Sequence, residues 1–334
     1  MMLARARALA CAALLLVAAL AGAQPAVPTP LNVITFGGGW NLPFWAAQRQ
    51  GFFDASGIAL NLAYTPSSEA LVRGLYGGKY DLAFATIDNF IAYDEGQGEV
   101  PLPGEPDFFV FMGGDGGFLS VVGGPNVHSI AELKGKTLSV DAMTNGLAFV
   151  LRELVARGGL AEGDVKYVQA GGTPFRYRDL VAGKHDATLL RTPFELLGRQ
   201  RGLNVLATAE SLGPYQGTVG AARRSWARTH EAALVGFLRA YRKGVAWVLD
   251  PANRDVCEAL LVANIRDMTP ALAKQSYDLL VAPKGGLSRD AALDMDGVRT
   301  VLTLRTKYGV PAKTLTDPAK YIDLDYYDKA SGAP

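Results

Sequence analysis

The chain has 334 residues, with 33 Lys+Arg against 32 Asp+Glu and a formal net charge of +1. A balance this close to neutral, without a basic patch, argues against nucleic acid or an anionic membrane surface as partner. The three histidines (His128, His185, His230) are too scattered for metal-ligand spacing, so neither a metal nor a cofactor is expected.

The N-terminus carries Arg5 and Arg7, an apolar run from Ala8 to Leu20, and then Ala21-Gly22-Ala23. That is the layout of a secretory signal over residues 1–23. The run is short of the roughly 20 residues a membrane helix needs, which disfavours a retained anchor. Most of it also lies after Cys11, whereas a lipid-anchored cysteine follows its apolar run. Cleavage leaves Cys257 alone, so no intrachain disulfide is possible, and within Val256–Leu261 it reads as buried apolar filler in a helix. The mature length suits two domains of about 150 residues each.

After the Pro-rich stretch Gln24–Pro30, Leu31–Phe36 reads as the first strand. Gly37-Gly38-Gly39-Trp40 forms a turn, and Pro43–Gln50 a helix ended at Gly51. Ile58–Tyr64 alternates as a strand, Ser67-Ser68-Glu69 opens a helix with serine as N-cap, and Tyr80–Ala85 is a strand followed by a helix from Thr86. Phe108–Met112 completes the series. Gly113-Gly114-Asp115-Gly116-Gly117 then suits a hinge, a close backbone approach or a plain turn. Phe118–Val122 is extended and leads to a second series: a short helix at Ser129–Leu133, strands at Thr137–Val140, Lys166–Gln169, Ala187–Leu190 and Asn204–Ala207, and helices at Asn145–Arg157, Pro174–Ala182 and Pro193–Arg201. Gly217–Ala221 is extended again. Helical spacing continues through Ser225–Asp250, Pro251–Asn264, Pro270–Val281 and Arg289–Lys307. The Tyr321–Tyr327 segment has no clear assignment beyond packing on a lobe surface. The alternation of strands and helices predicts α/β lobes with mostly parallel sheets.

Several of these segments carry a resemblance. Gly38 through Gly57, with Ala46-Ala47, Gly51-Phe52-Phe53 and Gly57-Ile58, is one; Gly78–Ala83, Ile130–Thr137 and Gly183–Ala187 are the others. In order and spacing the set resembles solute-binding proteins of ABC importers in the NMT1/THI5-like group, whose ligands include sulfonates, nitrate and thiamine-precursor pyrimidines. The resemblance implies a type II periplasmic-binding-protein fold, two lobes joined by two crossing strands around a ligand cleft that closes by hinge motion. Lobe one is then 30–117 plus 218–334, and lobe two 118–217. It also implies a monomer in the periplasm, with a small-molecule ligand and an inner-membrane ABC permease as partners.

In such sheets, ligands sit beyond the carboxyl ends of the strands. The residues there are Gly38, Gly39, Trp40 and Asn41; Ser67 and Ser68; Thr86, Asp88 and Asn89; Asp141, Met143, Thr144 and Asn145; Gly172, Thr173 and Phe175; and Arg191 with Thr192. Ser67-Ser68 and Thr144-Asn145 lie at helix starts, where free amides and the dipole favour an anion, although serine and asparagine there are also ordinary caps. Arg191 can grip a carboxylate, sulfonate or phosphate, or pair with Glu195. Trp40 can stack on a flat or aliphatic portion of a ligand, alone or with Tyr215 or Phe175 opposite, or pack in the core. Asp88 and Asp141 can receive an amine, or cap the helix that follows; for Asp88, capping is the favoured reading.

The expected function is capture of a small organic solute, first an anion such as a sulfonate or aromatic carboxylate, for delivery to the permease. A thiamine-precursor pyrimidine is the competing ligand. A sensory receptor or an enzyme of the same fold acting on a small aromatic metabolite are the competing functions. No catalytic triad, paired carboxylates, dinucleotide fingerprint or P-loop supports an enzyme, and export separates the chain from cytoplasmic relatives in thiamine or menaquinone biosynthesis.

Overall fold

The computed structural model describes residues 27–332, so the secretory-signal reading of residues 1–23 lies outside the described residues. Strand β1 (Thr29–Thr35) leads through a single 3-10 turn at Gly39–Asn41 into α1 (Leu42–Arg49). Pro43 sits in the first turn of α1, where its missing amide costs nothing, and Gly51, at φ 69°, ends the helix in the left-handed region. Next come β2 (Ile58–Tyr64), α2 (Ser68–Tyr76), β3 (Leu82–Thr86), α3 (Ile87–Asp94) and β4 (Phe108–Gly113). The second series is β5 (Leu119–Gly123), β6 (Thr137–Val140), α4 (Gly146–Arg157), β7 (Lys166–Gln169), α5 (Thr173–Val181), β8 (Ala187–Arg191), α6 (Phe194–Gln200) and β9 (Asn204–Thr208). β10 (Thr218–Arg223) then precedes α7 (Arg224–Thr229), α8 (Glu231–Leu249), α9 (Arg254–Asn264), α10 (Pro270–Leu280), α11 (Met295–Tyr308) and α12 (Asp325–Ser331).

The strands form two sheets, ordered β2-β1-β3-β10-β4 and β7-β6-β8-β5-β9. Each sheet is parallel except for one strand that runs against both its neighbours, β10 in the first and β5 in the second. These two are the segments read from sequence as crossings. The chain leaves the first sheet after β4 and is inserted as β5 between β8 and β9; it returns as β10 between β3 and β4. The crossings are therefore buried core strands. Their apolar side chains, from Val121 and Val122 to Val219 and Ala221, are fully buried.

Aromatic packing seats the C-terminal helices on lobe one. Phe44 of α1 meets Phe84 of β3 edge-on at 4.8 Å and Tyr241 of α8 at 4.9 Å. Such pairs add about 0.5–1.5 kcal/mol beyond area burial. Gly244 lets α8 approach this closely, because a Cβ there would lie 2.6 Å from the carbonyl oxygen of Pro43.

Two expected helices are divided. Ser225–Asp250 breaks at His230, whose ring stacks on Trp226 at 4.9 Å and hydrogen-bonds the Trp226 carbonyl at 3.0 Å, so the last turn of α7 is satisfied by a side chain instead of by continued helix. Arg289–Lys307 breaks because Asp290 and Ala291 take φ 55° and 57°, and α11 starts only where Asp294 accepts from the amides of Asp296 and Gly297. Arg242 holds Asp290 in place with bonds of 2.8 and 2.6 Å. The Tyr321–Tyr327 segment runs from the end of a 3-10 turn (Pro318–Tyr321) into the start of α12 and fastens to lobe one: the Tyr321 hydroxyl donates to Glu95 at 2.7 Å, and the Tyr326 ring lies 5.6 Å from that of Phe109.

Candidate functional site

The ends of β1, β3, β6 and β8 and the starts of α2, α4 and α5 meet between the sheets around a cavity. From lobe one it is lined by Phe36, Trp40, Ser68, Thr86 and Asn89. From lobe two come Asp141, Asn145, Leu147, Gly172, Thr173 and Arg176, with Arg191 beside the crossing strands. The cavity is about 20 Å³, room for about one water molecule, so the lobes are closed on each other.

Short-range signals position several of these groups. Ser67 caps α2 by accepting from the Ala70 amide at 3.2 Å, which leaves Ser68 at the first turn to face the cleft. Asn145 caps α4 through the Ala148 amide at 3.0 Å, and its Nδ2 still reaches Asp141 at 3.1 Å and the Ser68 hydroxyl at 3.2 Å. Asp141 thus bridges the lobes. Its Oδ2 accepts from the Ser68 hydroxyl, from the Ser68 amide at 3.2 Å and from Asn145. Its Oδ1 is buried with no protein partner. A buried acceptor left in this state costs about 1–3 kcal/mol. Burial pushes the Asp141 carboxyl up, opposed by the Arg176 charge and by the bonds from Ser68 and Asn145. A second bridge runs from the Gly172 amide to the Pro66 carbonyl at 2.9 Å.

Arg176 is fully buried beneath Asp141's side of the cavity. Its donors go to Thr188 Oγ1 at 3.1 Å, the carbonyls of Gly171 and Leu189 at 2.6 and 3.0 Å, and Thr173 Oγ1 at 3.3 Å. Burial pulls its guanidinium down to about 10, still protonated at neutral pH. No carboxylate touches it, so its charge is compensated only through space by Asp141.

Arg191 has a different environment from the one expected. Its partner is Asp115 at 2.7 Å, not Glu195, and it also donates to the Gly117 carbonyl at 2.8 Å and to Thr218 Oγ1 at 3.1 Å. Asp115 Oδ1 takes the amides of Gly117 and Thr218 at 2.8 and 3.2 Å as well. The Gly113–Gly117 run is therefore a close-approach segment: a Cβ at Gly116 would lie 2.5 Å from the Cα of Gly285. Both crossings are tied together by one ion pair. The Arg191 guanidinium lies over the Trp40 ring at 4.0 Å, so that face of Trp40 is covered by protein. Glu195 instead accepts from the Thr192 hydroxyl at 2.7 Å, and burial pushes it up to about 7.

Of the residues singled out in the sequence, Trp40, Ser68, Thr86, Asp141, Asn145, Thr173 and Arg191 line the cavity, as do Asn89 and Gly172 from the wider set. The others lie off it. Gly39 and Asn41 build the turn that carries Trp40, with Asn41 bonded to Thr35 and to the carbonyls of Phe36 and Gly38. Ser67 is a half-buried cap. Asp88 caps nothing and is held by Arg305 of α11 at 2.6 and 2.5 Å. Thr144 bonds Glu99 through its amide and hydroxyl at 3.1 and 2.8 Å, another contact between lobes. Tyr215 is buried against Gly117, its hydroxyl unpartnered.

Arg176, Phe36 and Leu147 escaped the sequence reading. Arg176 had a signal: it shares a helical face with Leu180, four residues on, and a charged side chain in an apolar stripe marks a buried, deliberately placed group. Cys257 is buried in α9, which pushes its thiol up to about 12. Among the described residues, no cluster of three or more His, Cys, Asp or Glu is arranged to hold a metal, and no helix is long and apolar enough to cross a membrane.

Residues 28–262 match the NMT1-like family. The chain belongs to that family. The resemblance read from Gly38–Gly57 and the later segments is thereby shown. A comparison with curated protein sequences finds no match. Among solved structures, this NMT1-like chain is similar to the periplasmic nitrate-binding protein of Synechocystis PCC 6803, with TM-score 0.77 and 14% identity over 91% of this chain and 89% of that one. It is similar to the ligand-binding component of an ABC-type import system from Staphylococcus aureus, solved with zinc bound, with TM-score 0.74 and 14% identity over 90% and 99% of the two chains. It also matches the alkanesulfonate-binding protein of Xanthomonas axonopodis pv. citri bound to MOPS, with TM-score 0.67 and 16% identity over 86% and 93%. The fold is thus the two-lobed α/β periplasmic-binding-protein fold, type II, expected from the sequence.

Proposed function

We propose that this NMT1-like protein is the solute receptor of an ABC importer: a monomer that captures a small organic molecule in the periplasm by hinge closure and presents the closed form to a membrane permease. In this reading residues 1–23 are the export signal, lobe one is 30–117 plus 218–334, and lobe two is 118–217. The observation that carries it is the bridged cleft. Asp141 and Asn145 of one lobe bond Ser68 of the other across a cavity that is polar on one side and aromatic at Phe36 and Trp40. Family membership and a fold shared with nitrate- and alkanesulfonate-binding proteins support the same reading. An enzymatic role is not part of it; turnover of a bound solute would bring one back.

A sulfonate or aromatic carboxylate gripped by Arg191 finds less support, because that guanidinium already bonds Asp115, Gly117 and Thr218. An anion would rely on the starts of α2 and α4.

The test is a thermal-unfolding screen of the purified protein against sulfonates, carboxylates, nitrate, amines, amides and aminopyrimidines, with small-angle scattering on every hit. A ligand at a hundred times its Kd adds about 2.7 kcal/mol of stability. The expected result is at least one saturable ligand that also compacts the protein. No ligand in any class, or a ligand that leaves the scattering profile unchanged, overturns the receptor reading.

A further inference from the structure

The charged groups around the cavity differ in what they have left to offer a ligand. Arg191 is matched by a carboxylate, and Arg176 is surrounded by backbone carbonyls and threonine hydroxyls. Asp141 alone among these three keeps a buried atom, Oδ1, with no protein partner, and only 3% of the residue is exposed. Moreover, its Oδ2 sits on the first turn of α2, on the amide and hydroxyl of Ser68. A helix start is the natural seat for an anionic ligand. In this cleft, that seat on lobe one is filled by lobe two's own carboxylate. An anion entering the cavity would have to displace Asp141 from the Ser68 amide and hydroxyl to reach that seat. A donor group would instead find the one acceptor in need of it, and a site with an unmatched polar atom discriminates by orders of magnitude between a ligand that satisfies it and an isostere that does not.

We infer that Asp141 is the specificity-determining residue of the cleft: its Oδ1 accepts a hydrogen bond from an N–H-bearing head group of the solute, such as an amine, amidine or amino-substituted ring, and its Oδ2 occupies the helix start that an anionic solute would need. This rests on the receptor reading and names the class of solute for it. Phe36 and Trp40 line the same cavity and suit the flat face of such a head group.

Near-isosteric probes separate the classes: benzamidine, benzamide and 4-aminopyrimidine as donors, benzoate and benzenesulfonate as anions. Binding is measured by calorimetry and thermal unfolding on the wild-type protein and on Asp141→Asn, whose ligand-free melting curve reports its folding. The expected wild-type order is donor over matched anion by roughly tenfold to a hundredfold, and Asp141→Asn narrows or reverses it by gaining affinity for benzoate. The wild-type order needs no variant, so a misfolded Asp141→Asn leaves the inference testable. Benzoate or benzenesulfonate binding the wild type as tightly as the donors overturns the Asp141 assignment while leaving a solute receptor. An Asp141→Asn protein that folds and keeps the wild-type ratio overturns it too. Silence toward all three donors also overturns it, whereas the receptor reading falls only with the wider screen.

Discussion

Arg305 of α11 holds Asp88 of α3 in a buried, two-pronged ion pair at 2.6 and 2.5 Å, and the same guanidinium reaches the Thr144 carbonyl of the other lobe at 2.6 Å. Gln97 Oε1 takes a further donor at 3.0 Å. One side chain therefore fixes the C-terminal helices to lobe one and also touches lobe two. Removing one partner leaves an uncompensated buried charge. Asp88→Asn is expected to cost about 3–5 kcal/mol in denaturant unfolding, with Arg305→Met close behind and the double variant far less than additive. Additive losses would mean the pair is not a unit.

Arg191 and Asp115 make a second prediction. Because the pair ties both crossings, Arg191→Gln is expected to lower the ligand-free stability by on the order of 3–5 kcal/mol. Asp115→Asn should do the same. If Arg191→Gln melts like the wild type yet binds no solute, Arg191 is a ligand grip after all.

Two carboxylates give the protein an acid limit. Burial by itself would raise Glu95, but hydrogen bonds from Lys320, Tyr321 and Lys313 outweigh it and hold it at about 2. Burial likewise opposes, and bonds from Lys307, Arg157 and Tyr308 overcome, to hold Glu153 at about 2. Both lie below the unfolded value of about 4.3, so their contribution is present above that pH and is lost as pH falls toward 2. Unfolding midpoints from pH 6 to 3 should fall more steeply for the wild type than for Glu95→Gln. Parallel slopes would remove Glu95 from the account.

Glu195 works in the opposite sense. Its folded value of about 7, raised by burial against the bond from Thr192, lies above the unfolded one. The stability it contributes is full at low pH and is lost as pH rises through the window from about 4 to 7. Glu195→Gln keeps the shape without the charge. It is expected to be more stable than the wild type at pH 8 by on the order of 1–3 kcal/mol, with no advantage at pH 4. A variant equal to the wild type at both pH values rules this out.

Gly116 tests the close approach of the crossing segment. A Cβ there would lie 2.5 Å from the Cα and 2.8 Å from the carbonyl carbon of Gly285, both backbone atoms that cannot rotate away. Gly116→Ala should cost about 1–3 kcal/mol, measured by denaturant unfolding, whereas Gly163→Ala, with open space around its Cβ position, should cost little.

The local parts of this protein are legible in the order of its residues. The strands from Ile58–Tyr64 to Lys166–Gln169 follow from side-chain alternation and flanking glycines, and Ser67 and Asn145 cap their helices because each reaches an amide three residues on. Those interactions act within one or two turns of chain, so composition and spacing reveal them. The ordered set of turns likewise carried the family and its fold. Which charged residues pair with each other follows from contacts between distant parts of the chain. Arg191 meets Asp115 across 76 positions, Arg305 meets Asp88 across 217, and Asp141 meets Ser68 across 73. Any carboxylate could serve an arginine locally, and the choice rests on which ends two sheets bring within hydrogen-bond reach in a buried space, where leaving a charge unmatched is too costly to tolerate. The insertion of β5 and β10 into the sheet centres sets that geometry, and with it the unpartnered oxygen of Asp141.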